Sequence, residues 1–279
     1  VSGFTLAMPA SVTKIRLLAV DLDGTLLRAD KVPHPASAEA LRRAEAAGIT
    51  VVIASGRALP AVRLFTTELG LHGPCIGANG ADVSSPDGVG WRHDRINGLA
   101  ASALVIEAHK RGLTTAVYGF DRVYLVRRSG GPEPDFKRII RTPTELVNEE
   151  DVASLDIGKV LVMQDPAISD ETRAALMEVM DSRFLRSTDS EPHFMEFLAV
   201  GTSKASALQE VGHRLGIPAS QTAAIGDYLN DLEMVEYAEI GAAMGNGHSA
   251  LRAAANLTVA TNEDGGVAEF VNLLCAPKA

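Results

Sequence analysis

The chain is poor in cysteine: Cys75 and Cys275 are the only two among 279 residues, and neither sits in a CxxC pair. A disulfide scaffold and a cysteine-rich zinc site are both disfavoured. Basic residues are also in short supply, 26 against 35 acidic ones, for a formal charge of −9. That balance argues against a broad surface tracking nucleic-acid phosphate. It leaves room for a small phosphorylated metabolite, because a metal, a lysine and backbone N–H groups can invert the sign locally. No apolar run approaches the roughly 20 residues of a spanning helix, so no membrane partner is expected. The first residues lack the basic stretch that opens a secretory signal, and the expected address is the cytoplasm. Residues 1–14 read as a lead-in, with Met8 as a natural start and part of what precedes it not native. Internal repeats and low-complexity tracts are missing as well, and nothing in the sequence speaks to oligomeric state.

What is present fits a soluble globular protein, with 46% hydrophobic and 22% charged residues. The length suits one large domain or two modest ones. Ile15 to Val20 and Ile49 to Ala54 are nearly continuous apolar runs, as expected of strands buried on both faces. Helices are expected at Ala36 to Ala47 and Ala58 to Leu69, each closed by a glycine, and a third strand at Pro74 to Ala78. This β-α-β-α-β series predicts a parallel sheet with right-handed crossovers. Beyond Ser84 to Gly90 the rhythm changes to a helix followed by paired strands, seen twice, which predicts an antiparallel sheet with helices on one face. From Val200 the first rhythm returns, with a strand at Thr222 to Gly226 and a helix at Leu229 to Tyr237. The expected fold is α/β: a Rossmann-like parallel-sheet core at 15–81 and 200–279, with an inserted α+β cap domain at 82–199.

Four polar clusters fall at the ends of the core's strands or helices. DLDGTLL, Asp21 to Leu27, places two carboxylates at i and i+2 where open α/β sheets bind ligands. An EF-hand fails here, because the twelfth position is Val32 and a strand precedes the motif. IASGR, Ile53 to Arg57, offers Ser55 and backbone N–H groups at a helix start, where anions bind and where serine is also an ordinary cap. Lys204 in GTSKASAL opposes the helix dipole in a first turn. GDYLND, Gly226 to Asp231, adds Asp227, Asn230 and Asp231 to the same edge.

The set resembles the haloacid dehalogenase superfamily, and in particular its Cof-type phosphatases with a type IIB cap. Further matches lie in Asn79 to Ala81, Ala243 to Gly247 and Asn262 to Phe270. The resemblance implies a Mg²⁺-dependent phosphatase acting on small phosphorylated metabolites, sugar phosphates or phosphorylated cofactors, through an aspartyl phosphate. By position, Asp21 resembles the nucleophile, Asp23 the acid/base, and Ser55 and Lys204 the phosphate holders. Asp21, Asp23 (through its backbone carbonyl) and Asp227 resemble the metal ligands, with Asp231 in the outer shell. Gly24, Gly56, Arg57, Asn79 and Asn230 are expected around the substrate, while Asn246, His193 and Glu196 are weaker candidates. Two positions depart from the family: Ala205 stands where glycine is usual, and Tyr228 where a smaller or polar residue is common.

Two other functions stay open on the sequence. A sugar phosphomutase shares the core and would need basic cap residues, for which Arg122, Arg127 and Arg128 are available. A non-catalytic phosphate-ligand sensor is the third reading, against which the intact Asp21, Asp23, Lys204 and Asp227 set speaks.

Overall fold

The computed structural model describes residues 14–131 and 141–276. Apart from Lys14, the expected lead-in lies outside the described residues. Two sheets organise the chain. The first draws β1 (Leu17–Val20), β2 (Thr50–Ala54), β3 (Cys75–Gly77), β4 (Asp82–Ser84) and β5 (Gly90–His93) from one end of the sequence. The second sheet, described below, holds β6 to β11. From the other end of the chain, the first sheet takes β12 (Thr222–Gly226), β13 (Ile240–Ala243) and β14 (Leu257–Thr258). Across it the order is β14-β13-β12-β1-β2-β3-β4-β5, and pairing is parallel from β14 to β3.

Every residue of β1 is buried because helices cover both faces. Leu18 and Val20 cluster with Leu41 of α1 (Pro35–Ala46), Val62 of α2 (Leu59–Glu68) and Phe270 of a last helix at Gly266–Cys275. Leu17 and Ala19 point the other way, onto Leu208 and Met234. Alternation along the strand makes that division, so an unbroken apolar run is what a doubly covered parallel strand requires. Register then fixes the site: Val20 pairs with Ile53 on one side and Ile225 on the other. The residues that follow these three strands leave the sheet on one edge.

The second sheet comprises β6 (Thr114–Tyr118), β7 (Val123–Arg127), β8 (Thr144–Asn148), β9 (Lys159–Met163), β10 (Leu185–Glu191) and β11 (Phe194–Ala199), in the order β10-β11-β9-β6-β7-β8. One face packs on α3 (Gly98–Lys110) and α4 (Asp170–Val179) through Leu104, Val105, Leu176, Val160, Val162 and Phe197. The opposite face carries Tyr118, Leu161, Phe194 and Leu198 and meets Ala58, Ala78 and Ala81 of the first sheet's loops. The chain then returns to the first sheet through α5 (Lys204–Leu215), α6 (Leu232–Tyr237), α7 (Ser249–Ala254) and α8, the Gly266–Cys275 helix. None of the helices among the described residues is long and apolar enough to cross a membrane.

Several sequence expectations need correction. Asp82–Ser84 and Gly90–His93, read as the start of the insertion, are strands of the first sheet, antiparallel to β3 and to each other. The turn-rich Ser84 to Gly90 is a hairpin loop held by Ser85 Oγ, which accepts from Val89 N at 2.9 Å, and the chain crosses over only near Asp94 to Ile96. The second sheet is not wholly antiparallel, since β7 and β8 run parallel. Leu229 to Tyr237 is broken into a 3₁₀ turn, Leu229–Asp231, and α6.

Candidate active site

Asp21 follows β1 directly and its N–H donates to Ile225 O at 3.1 Å, so the sheet ladder continues into the site. The chain then turns back on itself, with Leu26 N and Leu27 N donating to Asp21 O and Leu22 O. Gly24 lies at φ +79, and a Cβ there would stand 2.3 Å from Asp227 Oδ2. Only glycine accommodates both the left-handed backbone and the close approach. Thr25 Oγ1 donates to Asp227 Oδ1 at 2.9 Å, and Asn246 Nδ2 donates to Gly24 O at 2.8 Å.

Lys204 opens α5, whose first turn is fixed by reciprocal bonds between Ser203 and Ser206. It is fully buried, and its Nζ donates to Asp21 Oδ1 and Asp231 Oδ1, both at 2.6 Å. Burial opposes the ammonium, but the two carboxylates outweigh it and raise its pKa above the ordinary range. Asp231 Oδ2 accepts from the N–H groups of Asp227 and Tyr228 at 3.0 and 3.2 Å. Oxygens of Asp21, Asp227 and Asp231 lie within 4.8 Å of one another. Burial, then the charge of Asp231, push the Asp21 carboxyl up to about 7 against the pull of Lys204. Burial and the charge of Asp21 push Asp227 up to about 9. The misfit of lysine with the helix dipole is thus resolved by two anions.

Asp23 is held differently. Arg57 grips it with Nε at 2.6 Å from Oδ2 and Nη2 at 2.8 Å from Oδ1, and Lys31 Nζ donates to Oδ1 at 2.9 Å. Burial works against the charge, yet the Arg57 fork and Lys31 hold this carboxyl down at about 2. Ser55, after β2, is buried, and its Oγ accepts from Arg57 N at 3.1 Å. Asn79, at φ 53, donates its amide to Glu196 and accepts from Asn230 Nδ2 at 3.0 Å.

These groups surround a cavity of about 190 Å³ between the two sheets. Asp21, Asp23, Ser55, Gly56, Arg57, Asp227 and Asn230 line it from the first sheet's edge; Tyr118, His193, Phe194 and Glu196 line it from the second. Tyr228 also lines it, with its ring 5.4 Å from that of His248. Gly24, Asn79, Lys204 and Asp231 stand behind this wall among the described residues: Gly24 makes room for Asp227, Asn79 joins Glu196 to Asn230, and Lys204 and Asp231 underlie Asp21. Sequence reasoning gave no site role to Lys31, Tyr118 or Lys159. The one signal for Lys159 was a lysine at the head of the otherwise apolar strand KVLVM.

The sequence and the fold are similar to those of known proteins. The sequence profile of the haloacid dehalogenase-like hydrolases matches residues 18–271. The 5-amino-6-(5-phospho-D-ribitylamino)uracil phosphatase YitU of Bacillus subtilis is 31% identical, over 93% of this chain and 97% of its own. The pyridoxal phosphate phosphatase YbhA of Escherichia coli is 28% identical, over 92% of this chain and 97% of its own. A solved haloacid dehalogenase-like hydrolase from B. subtilis superposes with a TM-score of 0.81 at 27% identity, covering 92% of this chain and 99% of that one.

Proposed function

From the premise that the chain belongs to the haloacid dehalogenase-like hydrolases, as a phosphoric monoester hydrolase, we propose that it is a Mg²⁺-dependent phosphatase working through an aspartyl phosphate on Asp21. Its substrates are small phosphorylated metabolites of the cytoplasm, sugar phosphates or phosphorylated cofactors; relatives named for a phosphoribitylamino-uracil and for pyridoxal phosphate favour that class. The observation that carries the mechanism is Asp21 in the cavity lining, backed by Lys204 and close to Asp227, with Ser55 on the same edge of the sheet.

The donor set suits a hard divalent cation, which takes a few carboxylates, waters and a phosphate oxygen. Three carboxylates and one lysine leave the cluster a surplus of negative charge when all are ionised. Asp231 uses its oxygens on Lys204 and on two N–H groups. That leaves Asp21 and Asp227 to hold the ion, joined by the backbone carbonyl of Asp23 as the family resemblance implies, with Asp231 behind them. Bound there, Mg²⁺ would offset charge on the phosphoryl group and on its carboxylate neighbours.

In the first step an Asp21 oxygen attacks phosphorus, the bond to the leaving oxygen breaks, and Asp23 delivers a proton to that oxygen. Asp23 starts as a clamped carboxylate, so the arriving phosphate must draw Arg57 and Lys31 toward itself, and Asp23 must take up a proton from the substrate's phosphate monoanion or from water before it can deliver one. In the second step Asp23 takes a proton from water, the water oxygen attacks phosphorus, and the acyl-phosphate bond breaks to give inorganic phosphate and free Asp21. Ser55, the N–H groups beside it, and Lys204 beneath Asp21 balance the charge on the phosphoryl oxygens. The second sheet, from about residue 94 to 199, serves as a cap that excludes bulk water and contacts the leaving group.

A phosphomutase would need basic groups facing the cavity from the cap. Arg122 instead pairs with Asp121 and Glu145, and Arg127 donates to Asn148 Oδ1; Arg141 does line the cavity from the cap, but its guanidinium is forked onto Glu68, so hydrolysis is favoured. The test is a phosphate-release screen over sugar phosphates, pyridoxal phosphate, flavin mononucleotide and nucleotides with added Mg²⁺. Turnover that is lost in Asp21→Asn supports the mechanism, and turnover surviving that change contradicts it.

A further inference from the structure

Lys159 and Glu196 form an ion pair with no solvent to sustain it. Nζ lies 2.7 Å from Glu196 Oε1, and the side chains are 0% and 3% exposed. They sit diagonally on neighbouring antiparallel strands, where Lys159 is opposite Leu198 and Glu196 opposite Leu161. Both therefore project from the same face of the second sheet, toward the first. A well-packed apolar pair in such a place is often as stable as an ion pair or more so, so stability alone gives no reason for these two residues.

Their outer contacts do give one. Lys159 Nζ also donates to the backbone carbonyl of Gly56 at 2.6 Å and lies 4.0 Å from the centre of the Tyr118 ring. The second oxygen of Glu196 accepts from Asn79 Nδ2. Each residue thus reaches from the cap into a different loop of the core. The Gly56–Arg57 peptide is planar, so holding its carbonyl also aims its N–H, which donates to Ser55 Oγ. Asn79 is bonded through its own N–H to Ser55 O at 3.0 Å and through its side chain to Asn230.

We propose that Lys159 and Glu196 are positioning residues through which the seated cap fixes the phosphate-holding loops, Lys159 by the Gly56 carbonyl and Glu196 by the Asn79 amide. Closure and phosphate affinity are thereby coupled: when the second sheet lifts, the Gly56 peptide and Asn79 lose these partners together. This rests on the reading of Ser55 to Arg57 as a phosphate-holding loop.

The experiment compares wild type, Lys159→Met, Glu196→Gln, the double variant and Ser55→Ala with Mg²⁺ present. It measures kcat and KM on p-nitrophenyl phosphate, the competitive inhibition constant of inorganic phosphate, and Tm. Lys159→Met leaves Glu196 buried and unpaired and should melt lowest; the neutral double variant should regain most of that Tm. Its inhibition constant for phosphate should nonetheless stay at least tenfold weaker than wild type, with kcat/KM down on the order of 10–100-fold. Recovery of phosphate affinity together with Tm would make the pair purely structural and overturn the proposal, as would wild-type phosphate affinity in all three variants. If Lys159→Met does not fold, the double variant and Glu196→Gln carry the same comparison. Ser55→Ala separates the two layers of inference: phosphate affinity unchanged there means the loop assignment itself has failed, and the proposal with it.

Discussion

Lys204→Met removes a fully buried cation and leaves a side chain of similar length. Its Nζ is within 2.6 Å of both Asp21 and Asp231, so two carboxylates lose their partner at once. Breaking a buried pair by removing one member costs roughly 3–5 kcal/mol. Protonation limits that loss, because the Asp21 carboxyl already titrates at about 7 with Lys204 pulling it down, and without the lysine it must rise. A carboxyl whose folded pKa lies above its unfolded value contributes stability that is present at low pH and lost as pH climbs through the folded pKa. The penalty relative to wild type should therefore be small at pH 5 and should grow by up to about 1.4 kcal/mol for each pH unit above 7, where wild-type Asp21 is ionised and the variant's is still protonated. At about 2–4 °C per kcal/mol for a chain of this size, that is an added Tm deficit of about 3–6 °C at pH 8 relative to pH 5. The assay is urea and thermal unfolding of both proteins at the two pH values, with chelator present so that no metal replaces the lost charge. Phosphate release by the variant should fall by about 10²–10³ in kcat, comparable to losing one preorganised donor to a developing anion. Equal stability at pH 8, or a penalty independent of pH, would refute the ion-pair account.

Gly24→Ala forces a side chain into a left-handed backbone, at about 1–2 kcal/mol, and pushes Asp227 aside; kcat/KM should drop on the order of 100-fold while Tm changes by only a few degrees. Asp227→Ala should raise the Mg²⁺ concentration for half-maximal phosphate release at least tenfold, and Ca²⁺, with its looser shell, should replace Mg²⁺ poorly in the wild type; full activity in excess chelator would contradict both. Asp82 is buried beside Arg95 and His93, and burial raises its pKa from the ordinary 3.8 despite their pull. Its contribution is therefore present below that value and lost as pH rises, so urea unfolding should show wild type losing stability relative to Asp82→Asn as pH climbs from about 4. Parallel pH curves would remove Asp82 from the account.

The parallel half of the fold was legible because β1, β2 and β12 are unbroken apolar runs, and each ends in a polar residue on the shared edge. That alone brought Asp21, Ser55 and Asp227 together. Strands β4 and β5 were not legible: DVS and GWRH carry charged, polar or glycine residues instead of an apolar run, and their place beside β3 comes from hairpin pairing rather than periodicity. The Asp23 clamp was half visible, since Asp23 and Arg57 were singled out but Lys31 was not. Lys31 lies eight residues from Asp23 in a loop whose return path the sequence does not encode locally. Lys159 was harder still, and Glu196 was noted only as a weaker candidate. A charged residue in a short strand reads as a solvent-facing position, and only the seating of one sheet on the other buries these two.

Trapping the covalent intermediate tests the central claim most directly. Asp23→Asn protein is mixed with a ³²P-labelled phosphate ester of good leaving group and Mg²⁺, quenched in acid, and assayed for label on the protein. The first step then needs little protonation, while the second lacks its base, so phosphoenzyme should accumulate, and the label should vanish when Asp21→Asn is added to the same chain. A protein that hydrolyses the ester yet carries no label under any quench time would contradict attack by Asp21.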